Sequence, residues 1–440
     1  MRHVYHHSPM NLLRLSLSLL CGALLVNGAM AADAAGEGLT LEECLRPYHG
    51  PTAAQSEAGT LDGKVMCGYQ GWFGHPDDGY HLGMRHWGEV LDRPPVCRVD
   101  MWPDLSEYGP HERFPVNLFH RDGKPAEVFS STNRDTVLRH FRWMKEYGIG
   151  GVFVQRFASQ TATPEKQRFV TAVLNHCREG ANTYGRTFAV MYDMDFKNQP
   201  ATVKSDWTRL VREMHITESP AYQKHAGHPV VALWGFGVGK REVDPAITAD
   251  LFAFFKKPEN GACTIMLGTG NNWRTLPADA GGALLEQVDI ISPWTVGRFN
   301  SPADATAFHA RTLPDDLAWC KAHAKDYYPV AFPGFSWKNL QDARQPGQTK
   351  SPLNQIPRLK GQFLWSQVEA IQHAGLRKLY VAMFDEIDEG TAIFKCTNTP
   401  PIGNFVTYDG QPSDTYLRLT GAAARFLSGK ETYKTMPTFP

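Results

Sequence analysis

Eight short runs of apolar, β-branched or aromatic residues recur along the chain, and between most of them apolar positions return at helical spacing. The runs cover 64–73, 150–157, 187–193, 229–236, 263–268, 288–294, 328–335 and 379–384. They are near-continuously apolar rather than alternating, as strands buried on both faces require. Residues 135–147 put Val137, Phe141 and Met144 on one stripe, and 361–373 do the same with Phe363, Val368 and Ile371; 167–177 keeps the same period. Strand and helix alternating eight times predicts an α/β fold, a (β/α)8 TIM barrel, with an open doubly wound sheet as the alternative.

The repeat is uneven at its start. Residues 74–133 are rich in Pro, Gly, His and Trp, far longer than an ordinary connection of about 2–6 residues. They are expected to form an elaborated loop after the first strand, on the rim where barrel active sites lie. A last amphipathic stretch, 413–429, reads as a closing helix. No composition break marks a second domain, so 61–430 is expected to be one domain after an N-terminal extension, 32–60. Residues 1–31 read as an export signal: Arg14 precedes the apolar run 15–26, and Ala29-Met30-Ala31 supplies a small-x-small cleavage pattern. That run is too short to span a bilayer comfortably, so a secreted or periplasmic protein with no membrane span is expected.

Charge removes other classes. Lys and Arg number 45, as do Asp and Glu, and no basic block gives a footprint for nucleic acid or an anionic membrane. None of the seven cysteines beyond the signal is in CxxC spacing, which removes zinc-ribbon and thioredoxin readings. Up to three disulfides are allowed, while Cys67 and Cys263 sit in strand-like runs and read as core. A monomer without cofactor or metal is expected.

The chemistry concentrates in 379–395, where an apolar run delivers Asp385, Glu386, Asp388 and Glu389 into five positions before Gly390. Acids massed at a strand's carboxyl end repel one another, and partial burial pushes their pKa values apart, which suits proton transfer. If the backbone turns helically there, Glu386 and Glu389 project from one side with Cβ atoms about 5–6 Å apart. That resembles the carboxyl spacing of about 5–5.5 Å in retaining glycosidases rather than about 6.5–9.5 Å in inverting ones.

The segment Glu386-Ile387-Asp388-Glu389-Gly390-Thr391 resembles the Asn-Glu-Trp-His-Glu-Gly-Thr signature of the endo-α-mannosidases, glycoside hydrolase family 99, and more loosely the α-1,3-glucanases of family 71. Gly68-Tyr69-Gln70-Gly71-Trp72-Phe73 likewise resembles that clan's Tyr-Tyr-Pro-Trp-Tyr first-strand motif. The resemblance implies a retaining barrel glycosidase in which the substrate's own 2-hydroxyl attacks the anomeric carbon. Glu386 would accept the 2-hydroxyl proton, and Glu389 would act as general acid, then base. The family's Asn is Asp385 here, and its Trp-His pair is Ile387-Asp388. A conventional double displacement would use the same two residues.

Other strand ends supply candidate sugar contacts: Tyr69 and Trp72 on the first, Gln155 and Arg156 on the second, Tyr192 and Asp193 on the third. Trp234 and Trp294 are candidate stacking platforms, and Asp100 and Trp102 in the long loop could cover the non-reducing side. Asp385 joins them as a binding candidate. A carbohydrate is thus the expected partner, with hydrolysis of α-linked mannan- or glucan-type glycans the leading reading. A catalytically silent sugar-binding barrel, xylosidase- or arabinosidase-type activity, and a metal-dependent hydrolase built on the acid cluster are the alternatives; against the last, no HExxH occurs.

Overall fold

The computed structural model describes residues 36–439 apart from 55–56, 240 and 349–350; the export signal expected over 1–31 lies outside the described residues. Eight parallel strands form the barrel: β1 (Val65–Tyr69), β2 (Gly151–Phe157), β3 (Thr187–Asp193), β4 (His228–Phe236), β5 (Thr264–Thr269), β6 (Ile290–Pro293), β7 (Asp326–Tyr327 and Val330–Ala331) and β8 (Leu379–Val381). Neighbours in sequence are neighbours in the sheet, and β1 pairs with β8 in the register Val65↔Leu379. Their side chains are buried almost throughout, as a sheet packed inside and outside demands.

Strand β7 begins two residues before the run that announced it and is split at Pro329, which has no N–H to donate. Tyr328 N–H still bonds Ile291 O on β6 at 2.9 Å, while Pro329 O accepts Tyr380 N–H from β8 at 2.9 Å. The segment thus passes its pairing from one neighbour to the other and closes the barrel.

The outer layer is α1 (Arg134–Tyr147), α2 (Pro164–Tyr184), α3 (Pro200–Arg212), α4 (Pro245–Lys256), α5 (Pro302–Ala322), α6 (Lys338–Arg344), α7 (Gln362–His373) and α8 (Thr415–Leu427). Helix α1 shows why the pattern succeeds. Asn133 caps it through the Asp135 and Thr136 N–H groups, Gly148 ends it in the left-handed region (φ 79°), and Val137, Phe141 and Met144 lie buried between. Among the described residues no α-helix joins β5 to β6. Three 3₁₀ turns, Trp273–Thr275, Ala278–Ala280 and Gly282–Gln287, take its place, because Pro277, Gly281 and Gly282 break a longer run.

The long first loop holds two small hairpins, Gly88–Glu89 with Val96–Cys97 and Phe114–Phe119 with Pro125–Val128. No helix among the described residues is long and apolar enough to cross a membrane. The seven described cysteines are unpaired, and Cys67 and Cys263 are buried in the core.

Candidate active site

Strand β8 stops at Val381, three residues earlier than its apolar run. Beyond it the chain keeps its backbone bonded without sheet geometry: Phe384 N–H donates to Gly68 O at 2.7 Å, and Thr391 and Ala392 N–H both donate to Glu386 O at 3.0 Å. Residues 387–390 form a turn, with Gly390 in the left-handed region at φ 61°. Neighbouring loops pin it. Ile387 O accepts Asp100 N–H at 2.9 Å, Glu389 O accepts Ser336 N–H at 2.9 Å, and Arg358 donates to Gly390 O and Ala392 O at 2.8 and 2.7 Å.

This turn places Glu386, Asp388 and Glu389 on the wall of one cavity of about 420 Å³ at the carboxyl ends of the strands. A larger cavity, about 820 Å³, lies at the opposite end beside Lys64, Val65, Gly150 and Thr187, away from the end at which barrels carry their chemistry.

Glu386 Oε1 accepts the Gln70 side-chain amide at 2.6 Å, and Oε2 accepts the Thr391 hydroxyl at 2.6 Å. Burial, then the charges of Glu389 and Asp388, push Glu386 well above the usual carboxylate range, and the two donors oppose that rise. Burial and Asp388 push Glu389 up to about 7, against the pull of Arg344. No side chain among the described residues donates to Glu389. Two carboxyls so placed resist being charged together, and donors favour charge on the one they touch.

Of the other residues singled out from the sequence, Trp72, Gln155, Asp193, Trp234 and Trp294 line the same cavity. Two of these rings are already engaged within the protein. Trp72 is sandwiched between His86, with centroids 4.0 Å apart, and Phe157, at 5.4 Å, so both its faces are taken. Trp234 carries the Arg241 guanidinium 4.4 Å above its ring, and Arg241 also pairs with Asp193 at 2.6 Å. Burial raises the Asp193 pKa, with Arg241 opposing.

Six candidates lie elsewhere, for reasons of geometry. Successive strand side chains alternate between the barrel interior and the helix layer, so adjacent residues cannot both face the mouth. Gln155 faces it and Arg156 does not: Arg156 is fully buried against α3, donating to both oxygens of Asp206. Tyr192, its register partner on β3, donates to the same Asp206 at 2.6 Å. Tyr69 turns outward to His140 Nδ1 at 2.9 Å on α1, while Gln70 turns in. Asp385 is buried under the turn, accepting Gln70 and Gly71 N–H at 2.7 and 2.9 Å; burial pushes it up to about 7 despite those donors. Asp100 caps the start of α6, accepting Lys338 and Asn339 N–H at 2.8 and 2.7 Å. Trp102 packs in the core against Trp87 and Phe405.

The glycines beside Tyr69 also serve packing. A Cβ on Gly68 would meet Met383 and Tyr380 at 2.1 Å, and one on Gly71 would meet Val173 at 2.5 Å. Arg85, His86, Gln160, Arg241 and Arg344 join the cavity without a sequence signal, and Gln70 joins it with one, its place between two aromatics at a strand end where side chains alternate.

Among the described residues, the group with metal-ligand spacing is Asp62, His225 and Asp326 at the other end of the barrel. Lys378 bonds both carboxylates there, so their charge is met within the protein.

An eight-stranded barrel with carboxylates at the carboxyl ends of its strands is a scaffold that carries many chemistries. No protein-family model matches the chain, and no curated protein matches it at a significant level. Solved structures share its fold. The GH99 endo-α-mannosidase from Bacteroides thetaiotaomicron aligns over 85% of this chain and 100% of its own, at 18% identity and a TM-score of 0.60. The same enzyme in complex with BIS-TRIS-propane aligns over 84% and 99%, with a TM-score of 0.58. A glycoside hydrolase-like protein aligns over 88% and 99%, at 12% identity and a TM-score of 0.51. The chain therefore shares the barrel fold of these structures, in agreement with the fold that the resemblance of its first and last strands implied; at such identity the likeness is one of fold.

Proposed function

We propose that this chain is a secreted, retaining glycoside hydrolase acting on α-linked mannan- or glucan-type oligo- or polysaccharide, with Glu386 and Glu389 as its paired carboxyls. The export signal is residues 1–31 and the catalytic barrel 61–430. The observation that carries the reading is the pair itself: two carboxyls of raised pKa, three residues apart, on one cavity wall.

The donors Gln70 and Thr391 favour charge on Glu386 and so oppose the rise that its burial imposes; the reaction starts from the state in which Glu386 is charged and Glu389 holds the proton. Glu389 gives that proton to the glycosidic oxygen as the C1–O bond breaks. Glu386 takes the proton of the sugar's 2-hydroxyl, and the freed oxygen closes on C1 as a 1,2-anhydro ring. Water then opens the ring at C1, giving a proton to Glu389, while Glu386 returns its own to O2; two inversions amount to retention.

A polyhydroxyl ligand suits the wall chemically. Cavity-lining side chains carry buried polar atoms without protein partners: the donors Trp72 Nε1, Trp234 Nε1 and Arg85 Nε, and the acceptors Gln70 Oε1, Gln155 Oε1 and Asp388 Oδ1. Buried polar groups are normally satisfied, and sugar hydroxyls both donate and accept.

The test is a panel of α-linked mannans and glucans read by product mass and by the anomer first released. Glu386→Gln and Glu389→Gln are each expected to lower turnover by about 10²–10⁴-fold with unchanged circular dichroism. Full turnover in either variant ends the assignment.

A further inference from the structure

The loop after β1 delivers an imidazole to the acid turn. His86 Nδ1 lies 3.1 Å from Asp388 Oδ2. Its ring stacks on Trp72, with centroids 4.0 Å apart and planes 9° apart, and Phe73 meets it edge-on at 6.1 Å. His86 also adopts a left-handed backbone, φ 61°, which a non-glycine residue keeps only where its surroundings over-determine it. One ring on the cavity wall is therefore fixed from three sides.

The contact with Asp388 sets the proton. Against a carboxylate, which only accepts, the tautomer that makes this contact carries its proton on Nδ1, and in a neutral ring that leaves Nε2 as an acceptor. Nε2 has no hydrogen bond among the described residues and is not buried out of reach. Asp388 is itself buried with Oδ1 unpartnered, which makes His86 the group that answers its charge.

We propose that His86 is a sugar-binding residue, Nε2 accepting a hydrogen bond from a hydroxyl of the ring held at Glu386 and Glu389, with Asp388 and Trp72 as the positioning residues that aim it. The third acid of the turn is then an orienting group, not a proton donor to the glycosidic bond. The proposal deepens the carbohydrate-site reading and rests on it for the identity of the ligand. It also names a selectivity: a sugar lacking the hydroxyl that Nε2 reads has nothing to offer that acceptor.

Two measurements test it, and they fail separately. The first needs no ligand. Nitrogen NMR of histidine-labelled protein at mildly alkaline pH should show His86 protonated on Nδ1, with the balance moving toward Nε2 in Asp388→Asn; a wild-type ring protonated on Nε2 overturns the proposal. The second is calorimetric titration of α-linked mannotetraose and glucotetraose into Glu389→Gln protein. Adding His86→Gln, which keeps a donor for Asp388, should weaken whichever tetraose binds about tenfold or more, the loss of one good hydrogen bond, without shifting Tm. Monodeoxy versions of that sugar should lose affinity at one hydroxyl position in the parent that retains His86, and lose nothing there once His86→Gln is added. Equal affinity in both proteins overturns the proposal. Binding of neither tetraose to the Glu389→Gln parent counts against the glycosidase reading, and the NMR result then decides the role of His86 alone.

Discussion

The side-chain amide of Gln70 donates to Glu386 Oε1 at 2.6 Å, joining the end of the first barrel strand to the first acid of the last. A donor to the charged form favours that form. Gln70→Ala removes it, so Glu386 should hold its proton to higher pH. The acidic limb of the kcat/KM profile is expected to move upward, with a loss of about 10–100-fold at its optimum. A limb that stays in place would show that Gln70 does not set the ionisation of Glu386.

Glu389, pushed up to about 7, must be protonated to act as the acid. Activity is therefore expected to fall as pH rises through about 7. Asp388 is one cause of that elevation, and Asp388→Asn removes a negative neighbour, which lowers the pKa of Glu389. The alkaline limb should shift to lower pH by about half a unit to one unit, measurable from kcat/KM profiles of the two proteins side by side. A shift in the opposite direction contradicts the assignment of Glu389 as acid.

The Arg156–Asp206 pair is a matter of stability. Both side chains are buried, and Asp206 also accepts from Tyr192. Asp206→Ala strands a guanidinium away from water without its counter-charge, which is expected to destabilise the fold by about 3–5 kcal/mol. Chemical denaturation measures that loss. Where the variant still folds, KM should match wild type, because neither residue reaches the cavity.

Gly390 makes a further case. Its φ of 61° suits glycine, and a Cβ would sit 2.9 Å from the backbone N and O of Ser336. Gly390→Ala incurs the left-handed strain of about 1–2 kcal/mol and pushes on the strand-seven loop that bonds Glu389 O. We expect kcat to fall more than KM rises, since the displaced group is the acid. Equal effects on both would place the disturbance in binding.

Much of this was legible from sequence, for identifiable reasons. Strands such as Thr187–Asp193 declare themselves because burial on both faces leaves no room for polar residues before the mouth, and the acid turn declares itself because Gly390 ends a run that carboxylates cannot help to bury. The failures share a cause. Nearness to a strand end singles out Arg156, Tyr192 and Tyr69, while alternation admits only one of each adjacent pair to the interior; knowing which one needs the register. Asp100 reads from sequence as a sugar contact in the long loop, and nothing local marks it as a helix cap for a segment more than two hundred residues away. Arg241 and His86 come from loops whose paths no local pattern encodes, and Arg344 ends α6, a short helix whose placement over the mouth no local pattern encodes either.

Ile387 hangs by its carbonyl from the Asp100 backbone, while the Asp100 carboxylate holds the start of α6. The rim that frames the opening and the turn that carries the acids are thus one mechanical unit. Reshaping that rim to welcome a different glycan would tug on the proton-transferring groups. In this scaffold, new selectivity has to evolve together with the chemistry rather than on top of it.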